Sequence, residues 1–215
     1  MELIILVVYI VVFLYSVILH EIAHGFVAYR FGDDTAKISG RLSLNPLVHI
    51  DPFGSVLLPA LLYLSTGFAF GYAKPVPVNP YRLKGGSVSY RWVALAGILT
   101  NFLLAVMAAG VLKISTQVFG FGVDNIGVLF FQLMFLLNIV LAVFNGIPFP
   151  GFDGFNFLST FSWFSSFIRQ TPLANPLFMA RYGLIVSLLI LFLAWPYVGR
   201  LVLFFVNFFS KLFGL

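Results

Sequence analysis

Five stretches of the chain carry no Lys, Arg, Asp or Glu: Leu3–Leu19, Pro52–Ala73, Trp92–Leu112, Asn125–Phe152 and Tyr182–Gly199. Crossing ~30 Å of hydrocarbon takes about 20 residues of helix, and four of these stretches are long enough to be spans. The pattern predicts a first helix over about 3–30, clean spans at Trp92–Leu112 and Asn125–Ile147, and a last helical region over Tyr182–Phe209. That last helix is expected to break or kink at Pro196, which removes a backbone donor. The run 45–54 is dense in helix breakers and reads as irregular. Residues 148–180 mix Pro, Gly, Ser and Phe, which predicts interfacial loops and short helices. The expected fold is an all-α polytopic membrane protein with about four to six membrane segments. Among these are a re-entrant segment over 55–70 and a short extended or β element.

The basic residues bear on topology. If 55–70 re-enters rather than crosses, Arg30, Lys37, Arg41, Lys74, Arg82, Lys84, Arg91, Arg169 and Arg181 share one side, nine of the 12 basic residues. Basic loops favour the cytoplasm, so the re-entrant reading places the N-terminus outside. Pro59 and Gly67 agree, since broken backbone at membrane depth is tolerated when buried in protein or lining a wet cavity.

Composition excludes other classes. The 215 residues are 61% hydrophobic and 9% charged, against ~45–50% apolar and about 25% charged in soluble domains. The net charge of +5 comes from scattered residues without a basic cluster, so nucleic acid is not an expected partner. The absence of cysteine removes disulfides, thiolate metal sites and a cysteine nucleophile. Glu2 stands where a signal peptide would have a basic region, so no cleavable leader is expected.

Candidate chemistry lies at the end of the first helix. His20 and His24 are four apart, so their imidazoles project from one helical face, and Glu21 sits beside them. His-Glu-x-x-His on a helix is the pattern of a zinc protease with Glu as general base. On a soluble helix these residues could simply face water, but at membrane depth an ionisable group costs about 2.5–3.5 kcal/mol by insertion scales. A catalytic zinc usually takes three protein ligands. The remaining candidates are Glu2, Asp33, Asp34, Asp51, Asp124, Asp153 and His49. Asp153 stands out because it follows 28 uncharged residues and sits among prolines and glycines that free the backbone. The bland alternative is an Asp-Gly turn at the membrane surface. A rival function is a metal-ion transporter or permease, whose His and Asp residues would line a path.

With His20-Glu21-x-x-His24 and the later Asn145-x-x-Pro148-x-Pro150-x-x-Asp153-Gly154, the chain resembles the site-2 protease family of intramembrane zinc metalloproteases, in a short form without PDZ or CBS domains. The resemblance covers about residues 10–155. It implies one zinc ion per chain on His20, His24 and Asp153, with Glu21 as catalytic base and Asn145 holding substrate or the tetrahedral intermediate. The implied partners are a transmembrane protein substrate and the lipid bilayer, in the cell membrane, with the active site nearer the cytoplasmic side. The expected organisation is a single domain over 1–215, with a catalytic core at about 3–155 and a C-terminal helical region at about 181–213. Gly151 departs from the proline often found there, and Ile98 replaces the proline of the family's Gly-Pro-x-x-Asn helix.

Four residues are substrate-binding candidates with open alternatives. Asn101, one turn from Gly97, is read either as helix packing or as part of the site. His49 is read as a structural loop histidine, a cavity residue or a ligand. Val76 and Val78 fall in Tyr72–Asn79, which is either an inert proline-rich connector or an extended edge whose free donors could pair with a substrate strand.

Overall fold

Backbone groups inside lipid find no water, so the apolar runs must satisfy their own N–H and C=O groups as helix. The structure, a computed structural model, describes residues 2–58, 60–61, 64, 73–122 and 124–215. Its long helices are α1 (Glu2–Arg30), α3 (Ser87–Lys113), α4 (Ile126–Asn145) and α7 (Pro176–Phe213). Short helices α2 (Thr35–Ile38), α5 (Asp153–Leu158) and α6 (Ser162–Arg169) lie in the connections. Among the described residues, four helices, one over Phe192–Phe213 within α7, are long and apolar enough to cross a membrane. The protein is a multi-pass, all-α membrane protein.

Local sequence sets the helix ends. Asn125 Oδ1 accepts from the Gly127 and Val128 N–H groups at the start of α4. Asn175 does the same for Leu177 and Phe178 of α7, with Pro176 at the first helical position, where its missing donor costs nothing. Gly214 closes α7 in the left-handed conformation, φ +70°, as glycine permits.

α3 is the central helix, packing along both α1 and α4. Its inward face is small: Ala94, Gly97, Ala105, Ala108 and Ala109 are buried, which lets neighbouring backbones approach closely. Ala105, Ala108, Ala109 and Leu112 form a core with Val128, Phe135, Ile139 and Val143 of α4 and Val198 of α7. Large apolar side chains on the outer faces, such as Leu3, Leu103, Phe192 and Leu203, are exposed. That is the inside-out arrangement lipid allows.

Two expectations are narrowed. α7 runs through Pro196 without a break; one lost donor is a smaller cost than exposing several unpaired backbone groups to hydrocarbon. The segment from Ala73 to Asn79 is non-helical as expected, but no described residue is in a β-strand. Pro75 and Pro77 remove donors there, and the Val76 N–H is spent on a side chain. Tyr72 lies outside the described residues.

Most of the predicted re-entrant segment, residues 59, 62–63 and 65–70, also lies outside them. Its two flanks are tied together. The Lys74 N–H donates to the His49 carbonyl at 2.9 Å, and Arg41 Nη2 donates to the carbonyls of Lys74 and Pro75. Lys84 N–H donates to Phe31 O at 2.8 Å, and Arg82 pairs with Asp34 at 2.5 Å. The chain therefore departs after His49 and is back beside it at Lys74, at the C-terminal end of α1.

Candidate metal centre

α1 presents His20 and His24 on one face, both buried, with their Nε2 atoms 3.1 Å apart. Asp153 arrives from the loop that follows α4, as the first residue of α5. Its Oδ2 lies 3.1 Å from His20 Nε2 and 3.2 Å from His24 Nε2. The structure brings together the three residues expected as ligands, and they form the metal-capable group among the described residues.

The environment explains why these atoms meet. His24 Nδ1 lies 2.7 Å from the Val93 carbonyl, which only accepts, so in the neutral ring Nδ1 carries the proton and Nε2 presents a lone pair. His20 Nδ1 lies 2.6 Å from Asn101 Oδ1. The buried Asp153 Oδ2 has no hydrogen-bond donor. With both rings neutral, lone pairs and an anionic oxygen converging at 3.1–3.2 Å repel one another unless a cation sits among them. Tetrahedral zinc, with bonds of ~2.0–2.1 Å, sets its ligand atoms about 3.3–3.4 Å apart, close to the observed triangle. A second observation agrees: a Cβ on Gly97 would lie within 2.5 Å of both Nε2 atoms. Two imidazoles and one carboxylate are the donor set of catalytic zinc sites, which leave a fourth position open.

The approach of Asp153 depends on glycine. Gly151 has φ +99°, a conformation closed to proline, whose ring fixes φ near about −65°. This loop takes a path that the proline common in the family could not follow. A Cβ on Gly154 would press on the Gly146 carbonyl and sit 2.9 Å from Ile147 O, so the Asp-Gly pair seats α5 directly on the end of α4.

Glu21 is half-buried, and its Oε2 accepts from the Val76 N–H at 2.7 Å. Val76 is buried, whereas Val78 packs beside the small core of Ala28, Leu83 and Val93. Asn145 ends α4 with its amide donating to Leu141 O at 3.0 Å, directed along its own helix. His49 stands apart from the triad, 1% exposed, with Nε2 donating to Ser43 O at 2.8 Å. Asn101 is fully buried behind His20, where Nδ2 donates to Asn138 Oδ1 at 2.7 Å. Ile98 is buried in an unbroken α3.

Asn138 and Ser16 were not singled out by sequence reasoning. The available signal was faint: an amide inside the uncharged run of α4, and a hydroxyl one turn before His20.

Comparison with known proteins agrees with this geometry. The chain is 39% identical over 150 residues to the "Putative zinc metalloprotease YwhC" of Bacillus subtilis (strain 168), covering 66% of this chain and 64% of that protein. It is 33% identical over 150 residues to the "Putative zinc metalloprotease Rip2" of Mycolicibacterium smegmatis, covering 67% of this chain and 53% of that one. The Rip2 of Mycobacterium tuberculosis (strain H37Rv) is 30% identical over 184 residues, 84% of this chain and 64% of that protein. The chain thus spans between about half and two thirds of the length of these relatives. No family profile matches it, and no solved structure matches it significantly. With the histidine helix, the Asp153 loop and these relatives in agreement, the chain belongs to the site-2 protease family.

Proposed function

We propose that this protein is a zinc metalloendopeptidase that hydrolyses peptide bonds of membrane-embedded protein substrates, the chemistry of regulated intramembrane proteolysis. The observation that carries the proposal is the convergence of His20 Nε2, His24 Nε2 and Asp153 Oδ2 within 3.2 Å of one another, on a helix that also carries Glu21. His20, His24 and Asp153 hold one zinc ion per chain. Bound there, the ion would supply Lewis acidity towards a carbonyl oxygen and a water.

The chain's own groups do the rest. Glu21 takes the proton of the attacking water and returns it to the leaving amine. The Val76 N–H that binds its Oε2 holds the carboxylate in one orientation. Asn145, turned away from Leu141 O, can offer an amide donor to the developing oxyanion. The ties Arg41–Lys74 and Asp34–Arg82 hold basic residues around the C-terminal end of α1. We place that end, and the active site, towards the cytoplasmic face of the cell membrane. Residues 3–155 form the catalytic core, and the helical region 181–213 packs on it.

The test uses purified protein in detergent with a membrane-protein substrate found by comparing membrane proteomes of cells carrying wild type or Glu21→Gln. Glu21→Gln is expected to keep its zinc and lose cleavage, and Asp153→Ala to lose most zinc. Zinc transport into liposomes by Glu21→Gln at the wild-type rate, with no peptide hydrolysis by either, would establish the permease instead.

A further inference from the structure

The histidine helix is backed by a buried chain of amides that the catalytic motif does not include. Its direction can be read from its far end. Asn138 lies four residues after Met134 on α4, and one of its terminal side-chain atoms is 2.8 Å from the Met134 carbonyl. A carbonyl only accepts, so that atom is Nδ2. The same Nδ2 reaches Ser16 Oγ on α1 at 2.8 Å. Asn138 Oδ1 must therefore face Asn101, and the atom meeting it at 2.7 Å must be a donor, Nδ2 of Asn101. This leaves Asn101 Oδ1 facing His20 Nδ1 at 2.6 Å. An amide oxygen cannot donate, so His20 Nδ1 carries a proton, and in the neutral ring Nε2 is left as a lone pair aimed at His24 and Asp153.

We infer that Asn138 is a positioning residue for the metal centre: it fixes the orientation of the Asn101 amide and, through it, the tautomer and ring angle of His20. This rests on His20 being a metal ligand. Ser16, Asn101 and Asn138 are each 0% exposed and His20 is 5% exposed, so no bulk water can replace a lost partner. The relay crosses α1, α3 and α4, and its polarity is anchored by a backbone carbonyl that cannot flip. Without Asn138, the Asn101 amide can rotate and present Nδ2 to His20. The imidazole then must accept at Nδ1 and carry its proton on Nε2, where it cannot bind a cation. A role in helix packing alone would need only shape and hydrogen-bond satisfaction, not this direction.

The experiment compares Asn138→Ala with Asn138→Asp. In the second variant a protonated carboxyl can donate to Met134 O while its carbonyl oxygen still accepts from Asn101, so polarity is preserved; Ala does not preserve it. Zinc affinity is measured by chelator competition, the visible spectrum is recorded with Co2+ in place of zinc, and unfolding of the metal-free proteins is followed in detergent. The expected result is zinc affinity about 10–100-fold weaker in Asn138→Ala, the usual cost of an outer partner of a ligand, with an altered Co2+ spectrum. Asn138→Asp should return towards wild type in both. Equal zinc affinity and spectra in wild type and Asn138→Ala would overturn the relay, as would equal weakening in both variants. If wild type itself binds no zinc, the metal reading fails rather than the relay. If Asn138→Ala does not fold, nitrogen-15 imidazole shifts of metal-free wild type above the imidazole titration decide. A His20 ring protonated at Nδ1 supports the relay, and one protonated at Nε2 overturns it.

Discussion

The backbone N–H of Val76 donates to Glu21 Oε2 across 2.7 Å, joining two residues 55 apart in sequence. The proline-rich segment thus braces the candidate base through Val76. Pro75 and Pro77 make Val76 an isolated donor between two residues that have none, and Arg41 and His49 hold the segment from behind through Lys74 and Pro75. A substrate strand pairing with Val76 would have to take this N–H from Glu21.

Val76→Pro is therefore expected to cut peptide hydrolysis about tenfold or more, as loss of a charge-assisted hydrogen bond of ~1.5–3 kcal/mol implies, with zinc content unchanged. Val78→Pro leaves the Glu21 contact in place and should cost less. Turnover and metal content of the two folded variants decide it. Equal turnover in Val76→Pro and wild type would remove the brace from the mechanism.

Gly97→Ala places a methyl group within 2.5 Å of both imidazole Nε2 atoms. Overpacking of this kind costs about 1–3 kcal/mol, and here the strain falls on the ligand atoms. Zinc affinity should drop about tenfold or more while the metal-free protein stays folded. Wild-type affinity would mean that α1 and α3 shift apart without disturbing the triad.

Gly151→Pro tests the path of the Asp153 loop. Because Gly151 has φ +99°, the substitution forces a different loop and should displace Asp153, lowering both zinc occupancy and unfolding temperature. Gly151→Asn, which tolerates a left-handed backbone better, should retain more of each. A neutral or stabilising Gly151→Pro would show that the loop adopts another course in solution.

The turn after α1 carries an acid limb of stability. Burial pushes the Asp33 carboxyl up, but hydrogen bonds from Thr35 Oγ1, the Asn79 N–H and the Thr35 N–H outweigh it and hold the group below its ordinary 3.8. A depressed folded pKa contributes stability above the unfolded value and loses it as pH falls through the folded one. The contribution is complete at neutral pH and fades only below about pH 4. Asp33→Asn turns an amide donor towards the Asn79 or Thr35 donors, so it should cost about 1–3 kcal/mol at neutral pH and flatten the acid limb. Thermal unfolding in detergent from neutral pH down to about pH 3 checks both, and an unchanged acid limb in Asp33→Asn would assign it to other carboxyls.

Much of this protein is written along the chain. The uncharged runs dictate helix because lipid offers backbone groups no other partner, and α3, α4 and the two short helices from Asp153 onward lie where the pattern places them. His20, Glu21 and His24 are legible as a unit because the helical repeat converts a spacing of four into a shared face. Asp153 is legible because a lone carboxylate after 28 uncharged residues has few bland uses.

Tertiary structure alone decided the rest. Long helices that are apolar on nearly every side give no periodicity to say which face turns inward, so the sequence could not tell that Gly97 backs the imidazoles or that Asn101 meets His20. Asn138 is separated from Asn101 by 37 residues and from Ser16 by 122, and only the packing of three helices brings the amides into line. Val76 looked like a free donor because a loop's sequence shows which N–H groups exist, not where the chain carries them. Chain-local chemistry fixes which groups are present and how neighbours within a turn are disposed. Which distant groups meet is set by how the helices rotate and pack, and the burial of small residues along α3 settles that only in three dimensions.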